Sequence, residues 1–212
     1  CKQAQSSTLR IAAIDSVSQR WLPEVIARLR AEYPHTHISV TSGSPMVINN
    51  WMKDGIVELA VTDRVWTNKN LEWISVFKDP FRGVFPQNSI KGESVPLERF
   101  AGKSVILSDY GQNVDIPQIF KKHHVDVAYT DDRMASRSVL AAVAAGLGVT
   151  IMAQLELDYY AVQNVTVLPL EPAQYREIGV AAPRDGKMTA VMREFIRYLK
   201  QTVKQKEYPA FI

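Results

Sequence analysis

The chain has 212 residues, of which 46% are hydrophobic and 22% are charged, with 10 glycines and 11 prolines. This composition is typical of a folded globular protein and excludes the disordered, collagen-like and disulfide-rich classes. The net charge of +3, from 25 Lys and Arg against 22 Asp and Glu, is too small to indicate a dedicated nucleic-acid-binding surface. The single cysteine, Cys1, excludes an internal disulfide and the multi-cysteine zinc motifs.

The longest apolar run extends from Val139 to Ala153 and contains two glycines. It is shorter than the roughly 20 residues that a membrane-spanning helix needs, so we predict no membrane span. Residues 1–8 are polar and aperiodic, and we interpret them as a linker. A chain that begins with Cys is also expected for a mature lipoprotein, so a solute-binding lipoprotein of a transporter, anchored through Cys1, is an alternative interpretation.

The first part of the chain alternates predicted strands and helices. Apolar positions three and four residues apart predict a helix through Trp21–Leu29, with Ser16 and Ser18 as candidate N-caps. Ser44-Pro45 places a capping hydroxyl before a proline and predicts a second helix, which Gly55 ends. Short apolar or alternating runs predict strands at Leu9–Ile14, His37–Thr41, Ile56–Thr62 and Leu71–Phe77.

The same order of elements begins again after two X-Pro steps, Asp79-Pro80 and Phe85-Pro86, which indicate stiff, extended connections. The helices predicted here are Ser94–Phe100, Pro117–Lys122 and Ser136–Ala145, followed near the end of the chain by an amphipathic helix over Met188–Val203. The predicted strands are Ser104–Leu107, Val125–Thr130, Val149–Met152, Val165–Leu170 and Ile178–Ala182.

Two stretches, Ile11–Val61 and Val105–Met152, therefore share the order strand, helix, strand, helix, glycine, strand. Strands that alternate with crossover helices indicate parallel sheets covered on both faces. We predict an α/β protein of two Rossmann-like lobes joined by two crossover segments. Lobe I would hold residues 9–79 and 181–212, and lobe II residues 80–180. In such sheets a ligand binds beyond the carboxyl ends of the strands, here between the lobes.

No group of residues predicts catalysis or a resident cofactor. Gly146-Leu-Gly148 follows a helix and precedes a strand, the reverse of a phosphate-binding loop. His35 and His37 lack a second set of ligands, so we predict no metal site. An enzyme on this fold is the weakest of the three hypotheses.

Short polar side chains instead gather where predicted strands end and helices begin. Helix N-termini favour anions, whereas Asp15, Asp63 and Asp109 would repel one, so a ligand with both an amine and a carboxylate suits the set. Ser16, Ser44 and Ser136 can equally be interpreted as helix caps. The groups are Asp15, Ser16 and Ser18; Ser42, Gly43 and Ser44; Thr62, Asp63 and Arg64; Ser108, Asp109 and Tyr110; and Ser136, Arg137 and Ser138.

Two blocks of sequence resemble a known family. The first contains Leu9-Arg-Ile-Ala-Ala, Trp21-Leu22-Pro23, Tyr33-Pro34 and Glu58-Leu-Ala-Val, and the second is Val143-Ala-Ala-Gly146-Leu-Gly148-Val-Thr. Both resemble the effector-binding domain of LysR-type transcriptional regulators, and the likeness covers Leu9 to Val203. The resemblance implies a fold like the type 2 periplasmic binding proteins, a cytoplasmic location, and contact with DNA only through an N-terminal domain that this chain lacks.

The resemblance also implies a small-molecule effector and a homodimer, with a tetramer in the intact regulator. The effector, with a carboxylate or amino-acid-like compound as the candidate, would shift the population of lobe arrangements and so alter dimer geometry. Together with the polar groups above, it assigns the effector site to Ile14, Asp15, Ser16, Val17, Ser42, Met46, Thr62, Asp63, Ser108, Tyr110, Gly111 and Ser136. It assigns the dimer interface to Trp21, Val25 and Leu29 on the first helix and to Val139 and Val143 on a helix of the second lobe.

Overall fold

The computed structural model describes residues 8–63, 71–108, 115–131, 134–160, 163–184 and 188–206. The chain divides into two compact units: unit 1 comprises Cys1–Phe77 and Glu177–Ile212, and unit 2 comprises Lys78–Arg176. The chain passes from one unit to the other inside strand β4 (Leu71–Pro86) and returns inside strand β10 (Tyr175–Pro183). The predicted lobe boundaries, after residues 79 and 180, lie a few residues beyond the unit boundaries after Phe77 and Arg176.

Strand β1 (Thr8–Ala13) lies at the centre of the parallel part of the unit 1 sheet. It pairs with β2 (His37–Ser42) on one side and β3 (Leu59–Asp63) on the other, both in parallel. Beyond β3 the order continues with β10 and then β4, and β10 runs antiparallel to β3. Ile11 and Ala12 of β1 point to opposite faces of the sheet and are both fully buried, so this strand is covered on both faces.

The helices of unit 1 are α1 (Asp15–Arg20), α2 (Leu22–Glu32), α3 (Pro45–Lys53) and α7 (Ala190–Gln205). Helices α2 and α7 pack together through polar as well as apolar contacts. Arg28 donates to Gln201 at 2.9 Å and lies over the Tyr198 ring at 4.1 Å, while Thr202 donates to Glu24 at 3.2 Å. The helix near the end of the chain is therefore an integral part of unit 1.

In unit 2 the residues of β4 from Lys78 onward pair antiparallel with β8 (Thr150–Ala153) and with β9 (Val165–Glu171). The short strand β5 (Val95–Pro96) runs parallel to β9. Strands β6 (Ser104–Val105) and β7 (Ala128–Tyr129) form a parallel pair, and a bridge from Val105 to Val149 joins β6 to the residue before β8.

Unit 2 has helices α4 (Asp115–Lys122), α5 (Ser136–Ala144) and α6 (Gln154–Leu157), and a 3₁₀ turn at Leu97–Phe100. Its larger core cluster contains three aromatic rings that contact one another in tilted pairs. The Phe85 and Phe100 centroids lie 4.8 Å apart, and those of Phe100 and Phe120 lie 5.3 Å apart. No helix in the described parts of either unit is both long and apolar enough to cross a membrane.

The prediction of parallel sheets holds only in part, since β1 pairs in parallel with β2 and β3 but other strands do not. Strand β10 is antiparallel to β3, and β8 and β9 are antiparallel to β4. The interpretation of Asp79-Pro80 and Phe85-Pro86 as connections is also wrong, because both steps lie inside the single 16-residue strand β4. An X-Pro step does indicate extended backbone, but a proline is also tolerated within a strand where its nitrogen needs no partner.

The predicted N-caps Ser16 and Ser18 are also wrong, because the chain enters the helical conformation at Asp15 and both serines lie inside α1. The predicted helix Trp21–Leu29 is α2, which begins at Leu22, and the fully buried Trp21 lies between α1 and α2. The predicted helix Ser94–Phe100 is strand β5 followed by the 3₁₀ turn. By contrast, the Ser44 cap is confirmed, since its hydroxyl accepts from the Val47 amide, and Gly55 has the predicted positive φ of 68°.

Candidate functional site

The carboxyl ends of three parallel strands meet at one edge of the unit 1 sheet. Ala13 of β1 lies opposite Ser42 of β2 and opposite Val61 of β3. Backbone hydrogen bonds extend this alignment past the strands, with Ile14 donating to Val61 and Gly43 donating to Ala13. Five predicted site residues therefore lie at this edge: Ile14, Asp15, Ser42, Thr62 and Asp63.

The side chains at this edge form short hydrogen-bonded chains. Ser42 Oγ donates to Ser18 Oγ at 2.9 Å, and Ser18 Oγ donates to the Asp15 carbonyl at 3.0 Å. Thr62 Oγ1 donates to the carboxylate of the buried Asp63 at 3.4 Å. We call these side chains, with that of Asp15, the unit 1 polar edge.

The other predicted residues of unit 1 differ in exposure. Met46, in the first turn of α3, is 64% exposed, so it is available to a ligand. Ser16 and Val17 on α1 are buried, as is Ile14 at the end of β1. Their side chains pack into unit 1, so a ligand would meet their backbone rather than their side chains.

In unit 2 the structure brings Ser108 next to the start of α5. A parallel bridge pairs Ser108 with Met134, two residues before Ser136. Ser108 is 3% exposed, and its hydroxyl has no hydrogen-bond partner within the described part of the chain. Tyr110 and Gly111, the other predicted residues of this loop, lie outside the described residues, as does Asp109.

Ser136 does not cap α5, because the N-cap is Ala135, which offers no side-chain bond. The buried Ser136 hydroxyl instead donates to Glu156 Oε2 on α6 at 3.0 Å. A hydroxyl that already donates to a carboxylate keeps only its lone pairs for a ligand. The capping interpretation of Ser136 is therefore wrong, and the residue has a long-range partner instead.

Glu156 belongs to a buried ionic cluster that we call the Arg176 cluster, formed by Asp79, Glu156 and Arg176. Arg176 Nε and Nη2 both lie 2.8 Å from Asp79 Oδ2, and Nη1 donates to Glu156 Oε1 at 3.2 Å. The backbone amide of Leu155 donates to the other Asp79 oxygen at 3.1 Å. The cluster thus holds both carboxylates with charge-assisted hydrogen bonds.

Burial raises the pKa of Asp79 above its usual value, while Arg176 and the Leu155 amide act in the opposite direction. The desolvation of a fully buried carboxylate is the larger effect. Arg82 is a second buried cation in unit 2. Burial lowers its pKa below the usual value, and this effect outweighs that of the neighbouring groups, Asp79 among them, which raise it. The interior of unit 2 therefore holds more than one ionic group away from water.

Sequence reasoning missed the Arg176 cluster, although one signal was present. In β10 the residues 176, 178, 180 and 182 alternate with their neighbours, and all four are buried. The period of two places Arg176 on the same face as Ile178, so an alternation argument would have predicted a buried arginine that needs a carboxylate partner. Nothing local indicates Glu156, whose partners are distant along the chain.

The described residues hold no group of three His, Cys, Asp or Glu side chains that could bind a metal ion. A family model described as the LysR substrate binding domain matches residues 2–204. That match covers nearly the whole chain. The chain belongs to the LysR substrate-binding domain family.

Relatives and solved structures agree with this assignment. The domain is 22% identical over 183 residues to YybE, an HTH-type transcriptional regulator of Bacillus subtilis; the match covers 84% of this chain and 62% of YybE. It is 22% identical over 206 residues to the transcriptional activator protein LysR of Escherichia coli, covering 94% of this chain and 65% of LysR. The chain thus spans less than two thirds of the length of either relative.

Two solved structures have the same fold. The regulatory domain of CcmR from Synechocystis, in complex with 2-PG, matches with a TM-score of 0.81 at 18% identity, over 94% of this chain and 98% of that one. The effector-binding domain of QuiR, in complex with shikimate, matches with a TM-score of 0.81 at 19% identity, over 95% and 99%. The predicted fold class is confirmed by these likenesses.

In this LysR domain the five residues assigned to the dimer interface are core residues. Trp21, Val25 and Leu29 are fully buried in unit 1, and Val139 and Val143 are fully buried in unit 2. A side chain without exposed surface in its own chain cannot contact a second chain. The apolar periodicity of both helices therefore reflects packing inside each unit, and an interface on α2 or α5 would need their exposed positions.

We expect Arg176→Met to destabilise the domain by about 3–5 kcal/mol, because it leaves two buried carboxylates without their cation. Urea unfolding followed by circular dichroism measures the loss. Arg99→Met, at an exposed position of the 3₁₀ turn, is the matched control and should change the free energy of unfolding by less than about 0.5 kcal/mol. Adding Asp79→Asn and Glu156→Gln to Arg176→Met should recover most of the loss; a triple variant as unstable as the single one would contradict the argument.

The raised pKa of Asp79 predicts a pH dependence of stability. The folded state keeps the Asp79 proton at a higher pH than the unfolded state, whose pKa is near 3.8. This contribution is therefore fully present below the unfolded pKa and is lost as the pH rises through the folded pKa. In urea unfolding from acid to neutral pH, the stability of the native protein relative to Asp79→Asn should fall as the pH rises; a rising difference would contradict the assigned direction.

Proposed function

We propose that this domain binds a small-molecule effector at the strand ends described above and passes the signal to a DNA-binding segment outside the chain. The observation that carries this proposal is the Ser108 hydroxyl, which is buried and has no partner in the described part of unit 2. An unpaired buried polar group costs about 1–3 kcal/mol, and a ligand that pairs with it recovers that cost.

The proposal agrees with the relatives. YybE and LysR are transcriptional regulators longer than this chain, and the CcmR and QuiR domains were solved with small molecules bound. These matches favour a regulatory role over the lipoprotein and enzyme alternatives. A protein that acts on DNA in this way would work in the cytoplasm. The domain would act by population shift, with the effector favouring one conformation of the regulator over another.

We also propose that the domain forms a homodimer, with a tetramer in the intact protein, through the exposed positions of α2 and α5. Ala27, Arg30 and Ala31 are exposed on α2, and Ser138 and Ala141 are exposed on α5. Small side chains allow two helices to approach closely. An antiparallel exchange, in which α2 of each copy contacts α5 of the other, would have the two-fold symmetry that most homodimers show.

We expect a thermal-shift screen of amino acids, mono- and dicarboxylates, sulfate and simple sugars to find compounds that stabilise the domain. A compound at about 100 times its dissociation constant adds roughly 2.7 kcal/mol. Ser108→Ala should abolish that shift while leaving the unliganded melting temperature unchanged or higher, because it removes an unpaired hydroxyl. The control Ser104→Ala, at an exposed position of β6 in unit 2, should retain the shift. A shift that survives Ser108→Ala would contradict the assigned site.

We expect Ala141→Arg to raise the dimer dissociation constant by at least about 100-fold, since a buried unpaired guanidinium at an interface costs several kcal/mol. Sedimentation velocity over a concentration series measures it. Gln118→Arg, at an exposed position of α4, adds the same side chain away from the proposed interface and should leave the dimer intact. A native chain that sediments as a monomer throughout, or an Ala141→Arg variant that dimerises normally, would contradict the interface.

A further inference from the structure

The outer face of helix α7 in unit 1 carries a row of cations. The exposed charged residues of this helix are Arg193, Arg197, Lys200 and Lys204. They are spaced by four, three and four residues, so they lie on one face of the helix. At 1.5 Å per residue the row is roughly 16 Å long. We call these four residues the α7 cationic stripe.

The excess positive charge of the chain lies on this helix. Four cations less the carboxylate of Glu194 give α7 a net charge of +3, which equals the net charge of the whole 212-residue chain. All other residues taken together are therefore balanced. The net charge of the chain did not indicate a surface for nucleic acid because it is an average, whereas the fold collects the excess on one helix face.

Three carboxylates contact α7, and each already has a partner. Glu194 binds Arg197 inside the stripe through a 2.8 Å hydrogen bond. Glu24 and Glu32 belong to the neighbouring helix α2, and both accept hydrogen bonds from buried hydroxyls of α7. These carboxylates therefore neutralise one member of the stripe and leave the others.

The remaining three cations of the stripe are Arg193, Lys200 and Lys204. In the described part of the chain, no carboxylate lies within 4 Å of their charged nitrogens. Arg193 donates to the Met188 carbonyl at 2.7 Å, a contact that leaves its charge uncompensated. Like charges four residues apart on a helix repel each other, so an anion bound along the stripe would relieve this repulsion.

The rest of the helix surface favours a phosphate polyanion over other anionic partners. Besides the stripe, the fully exposed residues of α7 are Ala190 and Gln205, so the helix presents no large apolar anchor. Protein interfaces depend on such anchors and are poor in lysine. A membrane surface would need the apolar face of the helix, but Phe195 and Leu199 are fully buried in unit 1.

We propose that the α7 cationic stripe lies along the phosphate backbone of duplex DNA as a sequence-independent contact. DNA carries one negative charge per roughly 1.7 Å of its axis, so each cation of the stripe has phosphates within reach. The contact is weak by itself and gains strength when another segment already holds the same DNA. This inference rests on the proposed function for that segment, and it revises the expectation that DNA is contacted only outside this chain.

A salt titration tests the contact on the chain by itself. A short fluorescein-labelled duplex of mixed sequence is titrated with the protein, and fluorescence anisotropy gives the dissociation constant at each KCl concentration. Four phosphate contacts predict a slope of about −3.6 for the logarithm of the association constant against that of salt, a loss of roughly 100-fold between about 50 and about 200 mM. The backbone amides of the stripe should shift in the ¹⁵N spectrum on addition of the unlabelled duplex.

The triple variant Arg193→Gln, Lys200→Gln and Lys204→Gln removes the three unpaired cations. We expect it to weaken duplex binding at low salt by at least about tenfold and to reduce the slope to about −0.9, since one contact remains. All three positions are exposed, so the variant should keep the circular dichroism spectrum of the native chain.

The matched control is the triple variant Lys103→Gln, Lys121→Gln and Lys122→Gln. It lowers the net charge by the same amount at exposed positions of unit 2 and should retain the native slope. An equal loss of binding in both triple variants would overturn the stripe as the contact, because net charge alone would then explain the binding.

Two other results would overturn the proposal. One is an absence of duplex binding even at about 20 mM salt, where phosphate contacts are strongest. The other is binding to phosphatidylcholine–phosphatidylglycerol vesicles without binding to the duplex, which would assign the stripe to a lipid surface. Either result leaves the proposed effector site standing, since that site is tested separately by the thermal shift and Ser108→Ala.

Discussion

Arg176 holds together the two places where the chain changes units. It is the last residue of unit 2, and its guanidinium binds Asp79, the second residue of unit 2, so the outgoing and returning strands are joined by one buried ion pair. Its remaining nitrogen reaches Glu156, which in turn accepts from Ser136 at the start of α5. A buried ion pair is weak evidence for stability, since its desolvation offsets its attraction, but it strongly constrains which arrangement is satisfied. The positions of β4, β10, α5 and α6 all depend on that arrangement.

The candidate site is a consequence of how the strands end. In unit 1 the register of β1 with its two parallel neighbours brings the residues after Ala13, Ser42 and Val61 to one edge. In unit 2 the parallel bridge between Ser108 and Met134 brings Ser108 close to the start of α5. Parallel neighbours align their carboxyl ends, so polar side chains that are distant in sequence become adjacent in space.

Several hydroxyls of the candidate site already donate hydrogen bonds inside the protein. Three of the site hydroxyls donate inward, to a carbonyl-bound serine, to a neighbouring carboxylate and to a carboxylate of the Arg176 cluster. In the sequence alone, a serine or threonine hydroxyl has no fixed role, because it can donate or accept a hydrogen bond. In the folded chain these three protons are used inside the protein, whereas the buried Ser108 hydroxyl has no partner among the described residues.

The sequence by itself determined the features that depend on neighbouring residues and on family resemblance. These include the capped start of α3 at Ser44-Pro45, the glycine stops at Gly55 and Gly146, the amphipathic helix α7, the α/β class and the family. Each follows from local backbone preference, from the period of the apolar residues or from the matched blocks of sequence. Only the tertiary structure decided the direction of β10, the continuity of β4 through two prolines, the burial of Trp21 and Val143, and the partner of Ser136. Those outcomes depend on strand pairing, core packing and the neutralisation of buried charge between residues far apart in the chain, which no local pattern encodes.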